Sequence, residues 1–339
     1  MDEALRRLTA YGYDEDEARF LCLAAQHSGY FVRRQFNDFI GQARGARAQR
    51  FVEKLRTRRH ALSSRFGLNQ IVYHVRAKAL YSRLGQADNR NRREKAPLTV
   101  KRKLMCLDFA LAHPDKRFLT AEPEKVEYFV IERGIDLTAL PGRKYQSRKS
   151  TEATSRFFVD KLPIFLDPCD VATPLSPPPV VHFVYVDEGA QSLEGFATYL
   201  RQYGPLLTAL REFEVVYAAT ESRWFVKAEA IFHRMFSSSV SSEAKTVSPE
   251  HAELLDYFEA RRKFDTRNFT GLDAERIVHF REQKRTFAGQ HYDELYRTWI
   301  EGKEVPAADS RNVASLNARF TTYAAPHDYE MIRSLRHAS

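Results

Sequence analysis

The segment Ala46-Arg-Ala-Gln-Arg-Phe-Val-Glu-Lys-Leu-Arg-Thr-Arg-Arg59 decides how the chain is read. Arg47, Arg50, Lys54 and Arg58 recur at intervals of three, four and four, which stacks them on one side of a single helix. Ala48, Val52 and Leu55 keep the same period on the opposite side. A helix so built buries one stripe in a small core and offers the other to phosphates and base edges, as a recognition helix does.

The flanking segments extend this into a domain. Upstream, Asp14 to His27 has an acidic first turn followed by Ala18, Phe20, Leu21, Leu23 and Ala24, the pattern of an amphipathic helix that ends at Ser28-Gly29. Val32 to Ile40 reads as a short second helix with Phe36, Phe39 and Ile40 inward, and Gly41-Gln-Ala-Arg-Gly45 supplies the turn into the basic helix. Downstream, Ala61 to Phe66 and Gln70 to Val75 alternate as strands do and are joined by Gly67-Leu-Asn69, a hairpin signal. Three helices and a two-stranded wing predict a winged helix-turn-helix over 1–86. Its expected double-stranded DNA contacts are Arg33, Arg34, Gln42, Arg44, Arg47, Gln49, Arg50, Lys54, Arg58, Arg65 and Asn69. One basic helix alone fits a solvated surface equally well. The turn spacing, Arg65 in the hairpin and the basic run Arg90 to Lys95 favour nucleic acid. RNA stays open, because a basic patch reads phosphate and not sugar, but there is no RNP-like aromatic pair or GxxG loop.

Charge is segregated in the same way. Residues 31–103 hold 20 Lys or Arg against four Asp or Glu, whereas residues 104–339 hold 30 against 34, so the net +9 of the 339-residue chain belongs to its N-terminal part. No apolar run reaches the roughly 20 residues that cross a bilayer, and Met1-Asp-Glu-Ala-Leu-Arg-Arg7 lacks an apolar leader core, so a cytoplasmic, nucleoid-associated protein without a membrane partner is expected. Cys22, Cys106 and Cys169 form no CxxC pair, and reduced, mostly buried thiols are expected. Residues 87–98 are polar, basic and closed by Pro97, which predicts a linker that is either a solvated hinge or a strap along a phosphate backbone.

A central α/β domain is expected over 99–236. Helices are predicted from Thr99 to His113 and from Pro123 to Glu132, and one or two strands between Ser155 and Leu166. Val180 to Val186 and Glu214 to Ala219 are β-branched runs bounding a helix from Leu193 to Leu210 with an interruption at Gly204-Pro205, and Arg223 to Met235 is helical again. Strand, helix, strand without room for a hairpin implies a parallel crossover, so the class is α+β or α/β, multidomain, with a partly parallel sheet. After Ser237 to Ser242, residues 237–339 read as a C-terminal helical segment with helices at Glu250 to Phe264, Asp273 to Lys284 and Tyr292 to Ile300. It would cap the central domain or contribute a homodimer or partner contact.

Asp160, Asp187 and Glu188 are the candidates for chemistry, since paired carboxylates at strand ends hold a divalent cation in PD-(D/E)xK nucleases. The lysine expected two positions after the second acid is absent, Gly189 and Ala190 standing there, and Arg201 is the conceivable substitute. No catalytic residue or cofactor is therefore assigned, and an enzyme is the less favoured reading. His279 and His291 lack metal-ligand spacing, and no Walker loop, GxSxG elbow or GxGxxG turn is present.

A winged helix followed by Val184-Tyr-Val-Asp187, a helix with Tyr199 and Tyr203, and a strand ending Tyr217-Ala-Ala-Thr220 before Arg223 resembles the replication-relaxation family of plasmid and mobile-element proteins. The resemblance covers about residues 15–235. It implies a sequence-specific DNA-binding regulator, or a replication or mobilisation accessory factor, with a second domain of degenerate nuclease-like fold. Tyr185 stands where that family's strand often has an acid. The alternatives are a metal-dependent nuclease using Asp160 and Asp187, and an origin-binding initiator.

Overall fold

The computed structural model describes residues 2–42, 45–66, 70–146, 153–167, 178–189, 193–236, 249–266, 274–287, 290–301 and 316–332. It divides into two compact units, Met1–Arg234 with Asn317–Ser339, and Met235–Leu316. The class is mixed α+β with sheets of mixed orientation.

The first unit begins with α1 (Asp2–Ala10), α2 (Glu15–His27), β1 (Tyr30–Val32), α3 (Arg33–Phe39), α4 (Ala46–Thr57), β2 (Ala61–Phe66), β3 (Gln70–Val75) and α5 (Lys78–Arg83). Asp14 caps α2 in a capping box with Glu17, so its acidic start has a local cause. The strands form an antiparallel sheet in the order β1-β3-β2, with Tyr30 opposite His74 and Ala61 opposite Val75. Strand β1 and helix α1 were not anticipated. The core is aromatic: Phe36 stacks on Phe51 at 4.3 Å, and Phe20 meets Phe31 and Phe36 edge-on, each at 5.2 Å.

The expected linker at 87–98 is not a hinge. Asn91 is 1% exposed, and its amide donates to the carbonyls of Ala25 (3.0 Å) and Gln26 (2.9 Å). Gly29, at φ +81°, lies so close that a Cβ there would sit 2.3 Å from the Asn91 carbonyl oxygen. The strap leads into α6 (Pro97–Ala112), which is buried around nearly its whole circumference and gives Leu107 to the same core as α2 and α4. The amphipathic helix expected to open a separate domain is instead shared by both parts, and residues 1–86 form no compact unit of their own.

The rest of the unit comprises β4 (Arg117–Phe118), α7 (Glu122–Glu127) with a π-helical extension to Glu132, the β5 (Gly142–Gln146) and β6 (Ala153–Phe157) hairpin, β7 (Ile164–Leu166), β8 (Val181–Asp187), α8 (Glu194–Leu210), β9 (Glu212–Ala219), α9 (Phe225–Phe236) and β10 (Asn317–Ala324). The sheet order is β10-β9-β8-β7-β4. Strands β8 and β9 are parallel with Val181 opposite Phe213, as the crossover argument requires, while β7 pairs antiparallel with both β8 and β4. Helix α8 is continuous through Pro205, whose exposed side leaves the freed carbonyl to water while Phe196, Tyr199, Leu200, Tyr203, Leu206, Leu207 and Leu210 hold the other side. Cys22 and Cys106 are buried free thiols; Cys169 lies outside the described residues.

The C-terminal segment is not wholly helical. Strand β10 runs parallel to β9 with Asn317 opposite Glu212, covering an edge that a buried parallel sheet cannot leave open. The second unit holds α10 (Pro249–Asp265), α11 (Ala274–Thr286) and α12 (Gln290–Ile300), packed on Leu254, Tyr257, Phe258, Phe287, Leu295 and Tyr296. Among the described residues, no helix is long and apolar enough to cross a membrane.

Candidate nucleic-acid interface

Helix α4 buries Ala48, Phe51, Val52 and Leu55, and this stripe fixes where its cations go. Arg47, Lys54 and Arg58 lie on the flank that meets α2. Arg47 pairs with Asp16 at 2.8 Å and Asp14 at 3.3 Å, and Lys54 pairs with the buried Glu17. Arg58 donates to the Tyr11 carbonyl at 2.6 Å, and both Arg58 and Lys54 lie over the Tyr13 ring, at 5.3 and 5.5 Å. Gly12, at φ +89°, makes room for the Arg58 guanidinium, which a Cβ would approach to 2.7 Å. The face read from sequence as one stripe with Arg50 is thus split.

On the outward side, Arg50 and Arg56 are exposed, and neither side chain has an ion pair or hydrogen bond among the described residues. Gln49 beside them accepts from the exposed Arg33 at 2.6 Å and donates to Glu53 at 2.6 Å. Burial pushes the Tyr73 phenol upward, while the charges of Arg33 and Arg56 act on it in the opposite direction. Arg65 is exposed on β2, Gln42 is exposed after α3, and Arg59 follows α4 at φ +56°. Arg56 and Arg59 were missed by the sequence reading, although Arg56 continues the helical spacing from Gln49, Arg50 and Glu53. Arg44 and Asn69 lie outside the described residues.

Arg34 does not belong to this surface. Its guanidinium donates to Asp108 of α6 at 3.0 Å, to the Tyr329 hydroxyl at 2.6 Å and to Asp38 at 2.7 Å. Asp108 also accepts from Gln35 at 2.9 Å and from Tyr329 at 2.6 Å, so the sequence neighbours Arg33 and Arg34 serve water and interior respectively.

The acidic candidates are engaged elsewhere. Asp160 accepts from the Tyr203 hydroxyl at 3.0 Å and the Leu162 amide at 3.1 Å; Asp187 accepts from the Tyr217 hydroxyl and the Gly189 amide at 2.7 Å. Glu188 is buried. Among the described residues no group of three or more His, Cys, Asp or Glu is placed to hold a metal ion. Arg201 donates to Thr198 at 3.0 Å on the exposed side of α8. Lys103 of α6 and Lys125 of α7 do lie near Asp160, and its chain neighbour Lys161 turns instead to Asn89 at 2.7 Å. Burial pushes Lys103 and Lys125 down to about 8. Lys161 is pushed down to about 7, by burial first and then by the first two ammoniums. Lys103 and Lys125 donate to backbone carbonyls, that of Lys161 at 3.4 Å and that of Leu162 at 3.2 Å.

No protein-family model, curated protein or solved structure matches the chain.

Proposed function

We propose that the chain binds double-stranded DNA through its N-terminal part, with α4 as the recognition helix of a winged helix-turn-helix and the β2–β3 hairpin as its wing. The observation that carries this reading is the outward side of α4. Arg50 and Arg56 are exposed cations whose side chains have no ion pair or hydrogen bond among the described residues, on a helix whose opposite stripe is locked into an aromatic core. Such a cation gives up little on meeting a phosphate and releases a counterion when it does so. The order helix, strand, helix, helix and hairpin supports the winged-helix assignment, and Gln49 beside Arg50 would read a base edge on exchanging its bonds to Arg33 and Glu53. A sequence-specific regulator or accessory factor of a mobile element is the role in keeping with the family resemblance. The meander β4-β7-β8 followed by α8 and the parallel β9 favours a nuclease-like ancestry for the central part. The commitment of Asp160 and Asp187 to tyrosines argues against cleavage by it.

The test is titration of duplex DNA with the full chain and with the double variant Arg50→Ala/Arg56→Ala across a salt series. Affinity should fall by on the order of 1–3 kcal/mol and the salt slope by about one unit per lost phosphate contact. An unchanged affinity and slope would remove α4 from the interface.

A further inference from the structure

A cavity of about 690 Å³ opens in the central part of the first unit, away from α4. Its walls come from α6 (Arg102), β5 (Arg143), the turn before β7 (Asp160), β8 (Tyr185) and the first turns of α8 (Glu194, Tyr199). The volume lies in the range of sites that enclose metabolite-sized ligands. Two features of the wall are unexplained by the fold. Arg102 is only partly exposed, yet neither it nor Arg143 has an ion pair or hydrogen bond among the described residues. Tyr199 is 5% exposed, and its buried hydroxyl has no hydrogen-bond partner among the described residues. An unpaired buried polar group costs about 1–3 kcal/mol, so a protein that keeps one in the wall of a cavity that also holds two unpaired guanidiniums has left a place for an acceptor.

The chemistry of that acceptor follows from the donors. Guanidiniums from two separate elements line the same cavity as Tyr185, Tyr199 and the start of the 17-residue helix α8, a lining suited to a group with several anionic oxygens. The buried lysines around Asp160 add positive potential behind the wall. The carboxylates of Asp160 and Glu194 oppose a bare anion but can accept hydroxyl or amino hydrogens from a larger molecule. Tyr185 does not offer its ring, which is packed against Phe196, Tyr199 and Tyr217. We propose that this cavity binds an organic phosphate monoester, with Arg102 and Arg143 holding the phosphoryl group and Asp160 and Glu194 receiving polar hydrogens of the organic part. The phosphoryl group has two possible carriers, a free mononucleotide or sugar phosphate, and the phosphorylated end of a nucleic-acid strand.

Calorimetry on the full chain separates these. The probes are adenosine 5′-monophosphate, ribose 5-phosphate, inorganic phosphate, and a six-nucleotide single strand with and without its 5′-phosphate. Binding of either small monoester identifies a free ligand. Binding confined to the 5′-phosphorylated strand identifies a strand end. In either case Arg102→Gln should weaken binding by about tenfold or more, and Tyr199→Phe, which removes one hydroxyl and keeps the ring, by about threefold. Both variants should retain the duplex affinity of the parent, because α4 is untouched, so failure here and failure of the DNA-binding reading are distinguishable. The inference is overturned if no phosphate probe binds, if inorganic phosphate binds as tightly as the organic monoesters, or if Arg102→Gln binds as the parent does.

Discussion

The two flanks of α4 carry the same residue types at the same helical period and have opposite fates. Arg47, Lys54 and Arg58 turn toward α2 and are held by Asp14, Asp16, Glu17 and the Tyr11 carbonyl. Arg50 and Arg56 turn outward and are held by nothing among the described residues. The acids are where they are for reasons local to α2, whose first turn gains from carboxylates at its positive end and from the Asp14–Glu17 capping box. Periodicity thus identifies the sides of a helix, but the neighbouring helix decides which cations remain available to a ligand. A tied cation must break its pair before it can meet a phosphate, and that cost comes out of its contribution to binding.

The largest expected effect lies at the extreme of the tied class. Asp108 is 7% exposed and collects donors from Arg34, Gln35 and Tyr329. Asp108→Ala takes the acceptor from the buried Tyr329 hydroxyl and leaves Arg34 only Asp38 and Tyr329, and Gln35 only the Leu104 carbonyl, which should destabilise the first unit by about 2–4 kcal/mol in denaturant unfolding. A loss below about 1 kcal/mol would show that Arg34 is not anchored inside and would return it to the surface set.

Next in size is a basic group that burial leaves no room to ionise. His27 is pushed down to about 3, chiefly by burial and then by Lys103 and Lys125. A base lowered in the folded state binds its proton more readily when unfolded, so stability is retained above the unfolded value near 6.5 and lost as pH falls from there toward 3. His60 and His74 are lowered as well and add to the same slope. Melting temperature should therefore fall between pH 6.5 and 4, and His27→Gln should flatten that fall. An unaltered slope would place the acid sensitivity elsewhere.

The tied flank gives a smaller effect of a different kind. Arg47→Ala/Lys54→Ala should lower stability by about 1–3 kcal/mol, since the Arg47 pairs are exposed but Glu17 is buried and would keep only the Asp14 amide, and should change duplex affinity less than the outward pair does. If this double variant loses more DNA affinity than Arg50→Ala/Arg56→Ala, the distinction between the flanks fails.

Much of this architecture was legible because it is local. The Asp14 cap, the stripe Ala48, Val52 and Leu55, both strands of the β2–β3 hairpin and the β8-α8-β9 crossover follow from period and turn residues within short windows. What escaped depends on distant partners. Nothing near Asn91 reveals that its amide will meet the carbonyls ending α2, so a polar basic stretch reads as a hinge. Strand β10 follows more than 90 residues after β9 in the chain but adjoins it in the sheet, and its half-exposed alternation is weak without that neighbour. The site divides likewise. Arg50 stands outward as its spacing from the buried stripe requires, whereas the recruitment of Arg34 by Asp108 and Tyr329 joins residues 74 and 295 positions apart.

Arg59 offers the finest cut between fold and surface, because the two demands on it have opposite signs. It follows α4 at φ +56°, with its amide bonded to the Arg56 carbonyl at 2.9 Å and the His60 amide bonded to that of Leu55 at 2.8 Å. These two bonds are those of a Schellman ending, in which the left-handed position favours glycine, and an L-side chain there costs about 1 kcal/mol. Arg59→Gly should then raise stability by up to about 1 kcal/mol, less whatever the unfolded chain gains in freedom. A position that keeps a strained arginine where glycine fits better points to use of the charge, and Arg59 is exposed with no partner among the described residues. The same variant should therefore lose duplex affinity, with one phosphate's worth of salt dependence, by about 0.5–1 kcal/mol. Higher stability with unchanged DNA binding would end the open row at Arg56. Lower stability would mean that the arginine side chain holds the turn in place.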